Sequence, residues 1–319
     1  MSAADPQWAL RRVLLATLPG IVAMLWFYGW GVLINLLLAG SCAFLVDAAV
    51  HRLRGQRVSD PSSLVSATLL ALALPPYCPW WLCVAAVAGG LLLGKHVYGG
   101  NRNPFNPAMV GYALMLVAFP QPMSHWPAVH GPDLMTGVQQ IFGLHHDAPD
   151  AWAQATVLDA LRMNKSLTTD ELFARSAAFG AWGGKGSEWV SLAYLAGGLV
   201  LLQQRVISWH APVGMLAGVF ISSLLFWNGS GSDSHGSPLF HLLSGATLLG
   251  AFFIVTEPVS GPSRPSARLL FGAGVGVLTY LIRTWGGYPD GVAFAVLLMN
   301  LAVPTLERLT ASKPPAVSA

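Results

Sequence analysis

Charge is scarce in this chain. Asp, Glu, Lys and Arg together make up only 10% of its 319 residues, against about 25% in ordinary soluble domains. With 54% hydrophobic residues the chain cannot clothe a water-facing surface, which excludes a soluble globular fold. Cysteine is scarce too. Cys42, Cys78 and Cys83 form no Cys-x-x-Cys pair, whereas an iron–sulfur cluster normally takes four closely spaced thiolates. The three read as small apolar residues in helices. A cleaved signal peptide is not expected, because Arg11 and Arg12 precede an apolar stretch too long for its core. The glycines of FGAGVGV (271–277) lack the strand and loop of a dinucleotide fingerprint and read as close helix packing. Adjacent His145 and His146, with Asp147, read as a solvated loop and no metal site.

What is present is a succession of apolar runs, many long enough to cross a bilayer. Helices are predicted at 10–27, 30–53, 62–74, 79–96, 105–119, 187–205, 210–228, 238–255, 266–284 and 290–306. The third, fifth, eighth and tenth are expected to be short or interrupted, because prolines bound them. Residues 62–74 give only about 20 Å at 1.5 Å per residue, short of the ~30 Å hydrocarbon core.

Two pairs of segments resemble each other in the same order. SATLLALALPP (66–76) parallels GATLLGAFFIVTEP (245–258), and YGGNRNPF (98–105) parallels WGGYPDGVAF (285–294). Chance likeness of apolar sequence is one account; an internal duplication is the other. Five helices per half would make the halves inverted in the membrane, with sites at their interface. The expected fold is therefore an all-α polytopic membrane protein, with about ten transmembrane helices in two inverted five-helix repeats containing broken helices. The first repeat covers 1–119, a polar segment 120–186, the second repeat 187–306, and a tail 307–319.

Lys and Arg cluster in alternate loops. Arg52, Arg54, Lys95, Arg102, Arg205, Arg264, Arg268 and Arg308 share one predicted side with both termini, while 28–30, 75–79 and 229–237 hold none. Positive charge marks the cytoplasmic side, so 120–186 is expected outside. Arg283 alone breaks this pattern.

Inside that outer segment lies DAWAQATVLD (150–159). Locally, Thr156 reads as an exposed turn entering a helix, and small neighbours leave its hydroxyl accessible. Asn103 and Asn106 flank Pro104 where the fifth helix begins; their amides can cap that helix or bind a polar ring edge or ribityl chain. Asp47, Glu257, Asp290 and Glu307 are the acids in or beside helices. Buried acids in membranes are candidates for ion routes, with Glu257, Asp47 and Asp290 foremost, although each lies near a helix end.

The pattern Asp-x-x-Ser-(Gly/Gln)-Ala-Thr resembles the flavin-attachment motif of the D subunit of Rnf-type ferredoxin:NAD⁺ oxidoreductases and of the related B subunit of the sodium-pumping NADH:quinone oxidoreductase. LPGIVAMLWFYGWG, LPPYCPWW, YGGNRNPFNPAMVGY, LLSGATLLGAFFIVTEPV and RTWGGYPDGVAFAVLL resemble the Rnf D subunit in order along nearly the whole chain. The resemblance implies an FMN joined through its phosphate to Thr156 by an extracytoplasmic transferase, with Asp150 and Ala155 as motif residues. Ala153 stands where the motif has serine; the acceptor hydroxyl is kept. Trp152 is a candidate to stack on the ring, or a packing aromatic, and Arg162 to pair with the phosphate.

The resemblance also implies a non-covalent riboflavin at Asn103 and Asn106. It implies a subunit of an ion-translocating complex in the bacterial cytoplasmic membrane, with both termini cytoplasmic. Partners would include a second flavin-bearing subunit and iron–sulfur subunits. The NAD site and the clusters would lie on those partners. The competing reading is a channel or transporter for a small solute or ion, which inverted repeats fit equally well. The second Ala-Thr pair, Thr247, has its twin in Thr68 and reads as part of a broken helix, not as the acceptor.

Overall fold

Apolar runs leave backbone N–H and C=O groups without water, and a chain in lipid must satisfy them internally. The computed structural model describes residues 6–55, 61–100, 102–144, 153–164, 166–229, 231, 235–288 and 290–311. Asp150, Trp152, His145, His146 and Asp147 lie outside the described residues. The first half consists of α1 (Pro6–Tyr28), α2 (Gly31–Leu53), α3 (Ser62–Ala73), α4 (Trp80–Gly94) and α5 (Pro107–Ala118). The outer segment follows, with short helices α6 (Pro120–Ser124), α7 (Leu134–Phe142), α8 (Val157–Met163) and α9 (Thr169–Arg175), and a two-stranded ribbon of β1 (Trp126–Pro127) and β2 (Ala153–Gln154). The second half holds α10 (Ser187–Gln203), α11 (His210–Leu225), α12 (Pro238–Leu243), α13 (Thr247–Leu249), a π-helical turn (Gly250–Ile254), α14 (Pro265–Trp285) and α15 (Val292–Leu309).

The fold is all-α apart from that ribbon, and of polytopic membrane type. Five of the described helices are long and apolar enough to cross a membrane: α1, α2, α4 with the turn that carries it to Tyr98, α14 and α15. α3, α5 and α11 are apolar but shorter. Each segment expected to be helical is helical, with ends displaced by a few residues. The third and fifth are short, at 12 residues each, and the eighth is broken at Ser244–Ala246. The tenth corrects the expectation: α15 runs 18 residues straight through Pro304, because a proline removes one N–H donor without always stopping a helix. Cys78 likewise lies in the turn after α3 and not in a helix.

α11 and α14 pack most closely. Methyl groups added at Gly272 and Gly276 would collide with the carbonyl oxygens of Ala211 and Met215, and at Gly214 with that of Leu269. FGAGVGV thus does the packing expected of it: small residues bring two backbones together where no hydrophobic drive separates lipid from helix.

The outer segment touches two of the loops grouped with it, and the end of α14. The Tyr77 hydroxyl donates to the Pro132 carbonyl (3.3 Å), His130 N–H to that of Phe27 (2.9 Å), and Arg162 to that of Gly286 (3.3 Å). The segment 120–186 therefore rests on the turns near 28–30 and 75–79 and on the end of α14 at Gly286. The charge that broke the loop pattern has a structural job. Arg283 is 3% exposed; its guanidinium holds Asp290 at 2.9 Å and donates to the carbonyls of His241 and Ser244 at 2.9 and 3.3 Å. Those carbonyls are the ones the break after α12 leaves unpaired. Gly245 makes that break, with φ +62 and no space for a side chain against Asp290.

Candidate functional site

The ribbon β1–β2 pairs Trp126 with Gln154 and Pro127 with Ala153 in antiparallel register. This ties Ala153 and Gln154 to the early part of the outer segment. After β2 the chain turns at Ala155, and Thr156, with extended backbone (φ −65, ψ 155), caps α8. Its hydroxyl oxygen accepts from Asp159 N–H (3.2 Å) and its hydroxyl donates to the Asp159 carboxylate (2.9 Å). This is the expected turn entering a helix, and the signature Thr-x-x-Asp is that of an N-cap with a partner at the third position.

α8 is held by its apolar face. Val157, Leu158 and Leu161 are buried with Leu172, Phe179 and Phe240 in a small cluster of their own. Burying a side chain of this size contributes about 1.5–3 kcal/mol, so a seven-residue helix that would not persist alone is kept in place. Behind Asp159, Arg162 lies 3.7 Å from its carboxylate. Burial raises the Asp159 carboxyl above the ordinary aspartate range, and the Thr156 hydrogen bond and the Arg162 charge offset part of this.

Thr156, Asp159 and Arg162 form one wall of a cavity of about 530 Å³ that reaches between the two halves. Small-molecule sites are typically about 300–1,000 Å³, apolar, with few polar groups. Met24, Leu72 and Met109 supply apolar walls from the first half, and Leu249, Ile254 and Val292 from the second. Tyr28, Tyr112, Trp126 and Tyr288 supply aromatic faces, and Lys185 a second cation on the lining. The lining thus offers a hydroxyl, two cations, and aromatic and apolar faces, groups of the kinds that would hold a phosphate and a flavin ring.

Asp159 was legible from the capping pattern. Lys185, Tyr28, Tyr112, Trp126 and Tyr288 were not, because five separate stretches bring them together.

Asn103 and Asn106 are both buried. The Asn106 amide oxygen caps α5 by accepting from Met109 N–H (3.2 Å), and its amide nitrogen donates to Ile254 C=O (3.3 Å) in the π-turn of the other half. Asn300 joins in, accepting from Asn106 N–H (3.1 Å) and donating to Ser260 C=O (3.1 Å). Asn103 donates to Phe105 C=O (3.0 Å). Asn106→Ala removes a cap worth ~1 kcal/mol and strands a buried carbonyl at ~1–3 kcal/mol. A loss of about 2–4 kcal/mol is expected in thermal or denaturant unfolding in detergent; a variant melting with the wild type would contradict this role.

The acids are also placed. Asp47 accepts from Ser63 (2.8 Å) and pairs with His96 (2.8 Å), Glu257 closes a turn on Ser260 and Val259, and Glu307 holds Arg264 at 3.3 Å. Thr247 is fully buried and its hydroxyl donates to His241 and Ser244 carbonyls. It is closed off inside the broken helix.

Residues 2–315 match the model of the NQR2, RnfD, RnfE family. The chain is 60% identical over 309 residues to the D subunit of an ion-translocating oxidoreductase complex from Ectopseudomonas mendocina, covering 95% of this chain and 90% of that one. It is 59% identical over 310 residues to the protein of the same name from Pseudomonas aeruginosa (94% and 89%). To that of Cellvibrio japonicus it is 47% identical over 314 residues (93% and 87%). The chain belongs to the NQR2, RnfD, RnfE family.

Proposed function

We propose that this chain is the membrane-embedded electron-transfer subunit of an Rnf-type ion-translocating oxidoreductase complex, carrying FMN esterified to Thr156. One observation carries the proposal: the Thr156 hydroxyl stands on the wall of a flavin-sized cavity between the halves, with Arg162 and Lys185 on the same lining. FMN supplies the redox chemistry when bound; the protein supplies placement and electrostatics. Thr156 would anchor the phosphate, Arg162 and Lys185 would balance its charge, and the aromatic and apolar walls would exclude water from the ring. Asp150, Trp152 and Ala155 belong to the same attachment stretch.

The proposal extends to topology and partners. It takes the halves as inverted five-helix repeats making about ten crossings, with both termini cytoplasmic and 120–186 outside. α5 and α15, which follow the matched segments, and the paired short or broken helices support this. The subunit would work with a second flavin-bearing subunit, with iron–sulfur subunits and with an extracytoplasmic flavin transferase, in the cytoplasmic membrane. Riboflavin near Asn103 and Asn106 rests on the family resemblance. Both Asn106 amide atoms are already engaged inside the protein, so contact there would fall to Asn103 and its surroundings. Glu257, Asp47 and Asp290 are the acids proposed for an ion route. Each has an intramolecular partner, so passage at any of them requires that pairing to open.

The test is direct. The subunit, produced in cells that hold the transferase, is denatured and separated on a gel. A flavin-fluorescent band is expected for wild type and none for Thr156→Val. A dark wild-type band would favour the channel or transporter reading, since a pore has no use for a tethered flavin.

A further inference from the structure

Thr156 and Asp159 are more than a capped helix end. A threonine hydroxyl is a weak nucleophile at neutral pH and needs an adjacent base. A base must lie within about 2.6–3.2 Å of the proton-bearing atom. The Asp159 carboxylate accepts the Thr156 hydroxyl at 2.9 Å, while Asp159 N–H holds the same oxygen from the other side at 3.2 Å. Arg162, one turn on, lies 3.7 Å from the second carboxylate oxygen. Nucleophile, base and orienting group thus form a chain along the cavity wall.

The outer segment contains its own control. Thr168 caps α9 with the same pair of hydroxyl bonds, donating to Glu171 at 3.0 Å and accepting Glu171 N–H at 3.2 Å, and its backbone N–H adds a third bond to the Glu171 carboxylate at 2.9 Å that Thr156 does not make to Asp159. That pair is exposed and lies off the cavity, and hydrogen bonds from Thr168 lower the Glu171 carboxyl below its ordinary range. Asp159 is displaced the opposite way, chiefly by burial, and a carboxylate raised in this manner holds a proton more readily. The hydroxyl–carboxylate pair is therefore shared, while a carboxylate free of the backbone bond and facing a ligand-sized chamber is found at Thr156.

We propose that Asp159 is the proton acceptor that activates Thr156 for its own flavin attachment, supplied by this chain and not by the transferase. This rests on the reading of Thr156 as the FMN site. The donor is a flavin–nucleoside pyrophosphate. The Thr156 oxygen attacks the flavin-side phosphorus and forms the new O–P bond. The pyrophosphate P–O bond breaks, and the nucleoside monophosphate leaves with the electron pair. The hydroxyl proton passes to Asp159. Nothing is oxidised or reduced. Afterwards a phosphodiester stands where the hydroxyl did, and Arg162 is positioned to meet its charge.

The full-length chain in detergent is incubated with purified transferase and flavin adenine dinucleotide, and initial flavin incorporation is read by in-gel fluorescence across a pH series. Asp159→Asn is expected to slow labelling by about 10²–10⁴-fold, the range for general-base catalysis. Asp159→Glu is expected to recover part of the rate, and added formate part of the rate of Asp159→Ala. Thr168→Val is expected to label like wild type. The wild-type rate falls as acid protonates Asp159, at a pH above the ordinary aspartate range, and Asp159→Asn loses that limb. Arg162, Lys185, Tyr112, Tyr288 and Asp290 share the lining and are unchanged in that comparison. Asp159→Asn labelled at the wild-type rate would overturn the inference, as would a slow variant that keeps the wild-type pH limb, or Asp159→Ala unmoved by formate. A wild-type chain that takes no flavin at all would instead overturn the reading of Thr156.

Discussion

Arg283→Met is expected to destabilise the protein by about 3–5 kcal/mol, the cost of leaving a buried ion pair with one partner. Methionine keeps the approximate length and removes every donor. Asp290 then loses its counter-charge, and the carbonyls of His241 and Ser244 lose their guanidinium donors and keep only the Thr247 hydroxyl. The loss should fall toward the lower end, because the Asp290 side chain is 19% exposed and still accepts from Ala246 N–H at 2.6 Å. Arg283→Lys restores charge without the planar fork that reaches three acceptors, so it recovers only part. Arg283→Met combined with Asp290→Asn should cost less than the two singles added, since the pair interacts directly. Unfolding in a fixed detergent measures all four proteins. A methionine variant with wild-type stability would show that the break closes without Arg283.

Gly276→Leu is expected to cost at least the ~1–3 kcal/mol of overpacking, and to push α14 away from α11. The obstructing atoms are the Met215 carbonyl and the Val219 backbone nitrogen, and backbone cannot step aside by changing rotamer. The same argument applies in reverse at Gly214 and Gly218, which face the Leu269 and Ala273 carbonyls. Even Gly276→Ala should lower stability measurably. Gly287→Ala is the control, because a methyl there meets nothing within 4 Å. Equal melting of Gly276→Leu and Gly287→Ala would mean that the α11–α14 contact is not close packed in solution.

Much of the fold was readable because the signals were local. Long apolar runs bounded by proline marked the helices, and the small residues of FGAGVGV marked the tightest contact. The capping pattern at Thr156 marked the start of α8. Other features left no local trace. α7 and α9 are short and lie in the polar segment read only as a loop, where amphipathic periods are too brief to register. The continuous α15 was hidden by Pro304. Arg283 looked like a misplaced loop charge because its partners, Asp290 and the His241 and Ser244 carbonyls, cannot be matched by spacing.

The sequence by itself determined that this is a helical membrane protein, where its long apolar helices run, and that Thr156 stands where a helix starts in the polar segment. Those are consequences of hydropathy, proline and capping, each set by neighbours along the chain. Only the tertiary structure decided that Thr156 faces a chamber. The chamber exists because α1, α3 and α5 of the first half and the broken helix and α15 of the second leave space under the outer segment. Burial of that kind also raises the Asp159 carboxyl above its ordinary range, whereas hydrogen bonds from Thr168 lower that of Glu171, although both stand three residues after a capping threonine. Similar local patterns acquired different chemistry from what packs against and bonds to them.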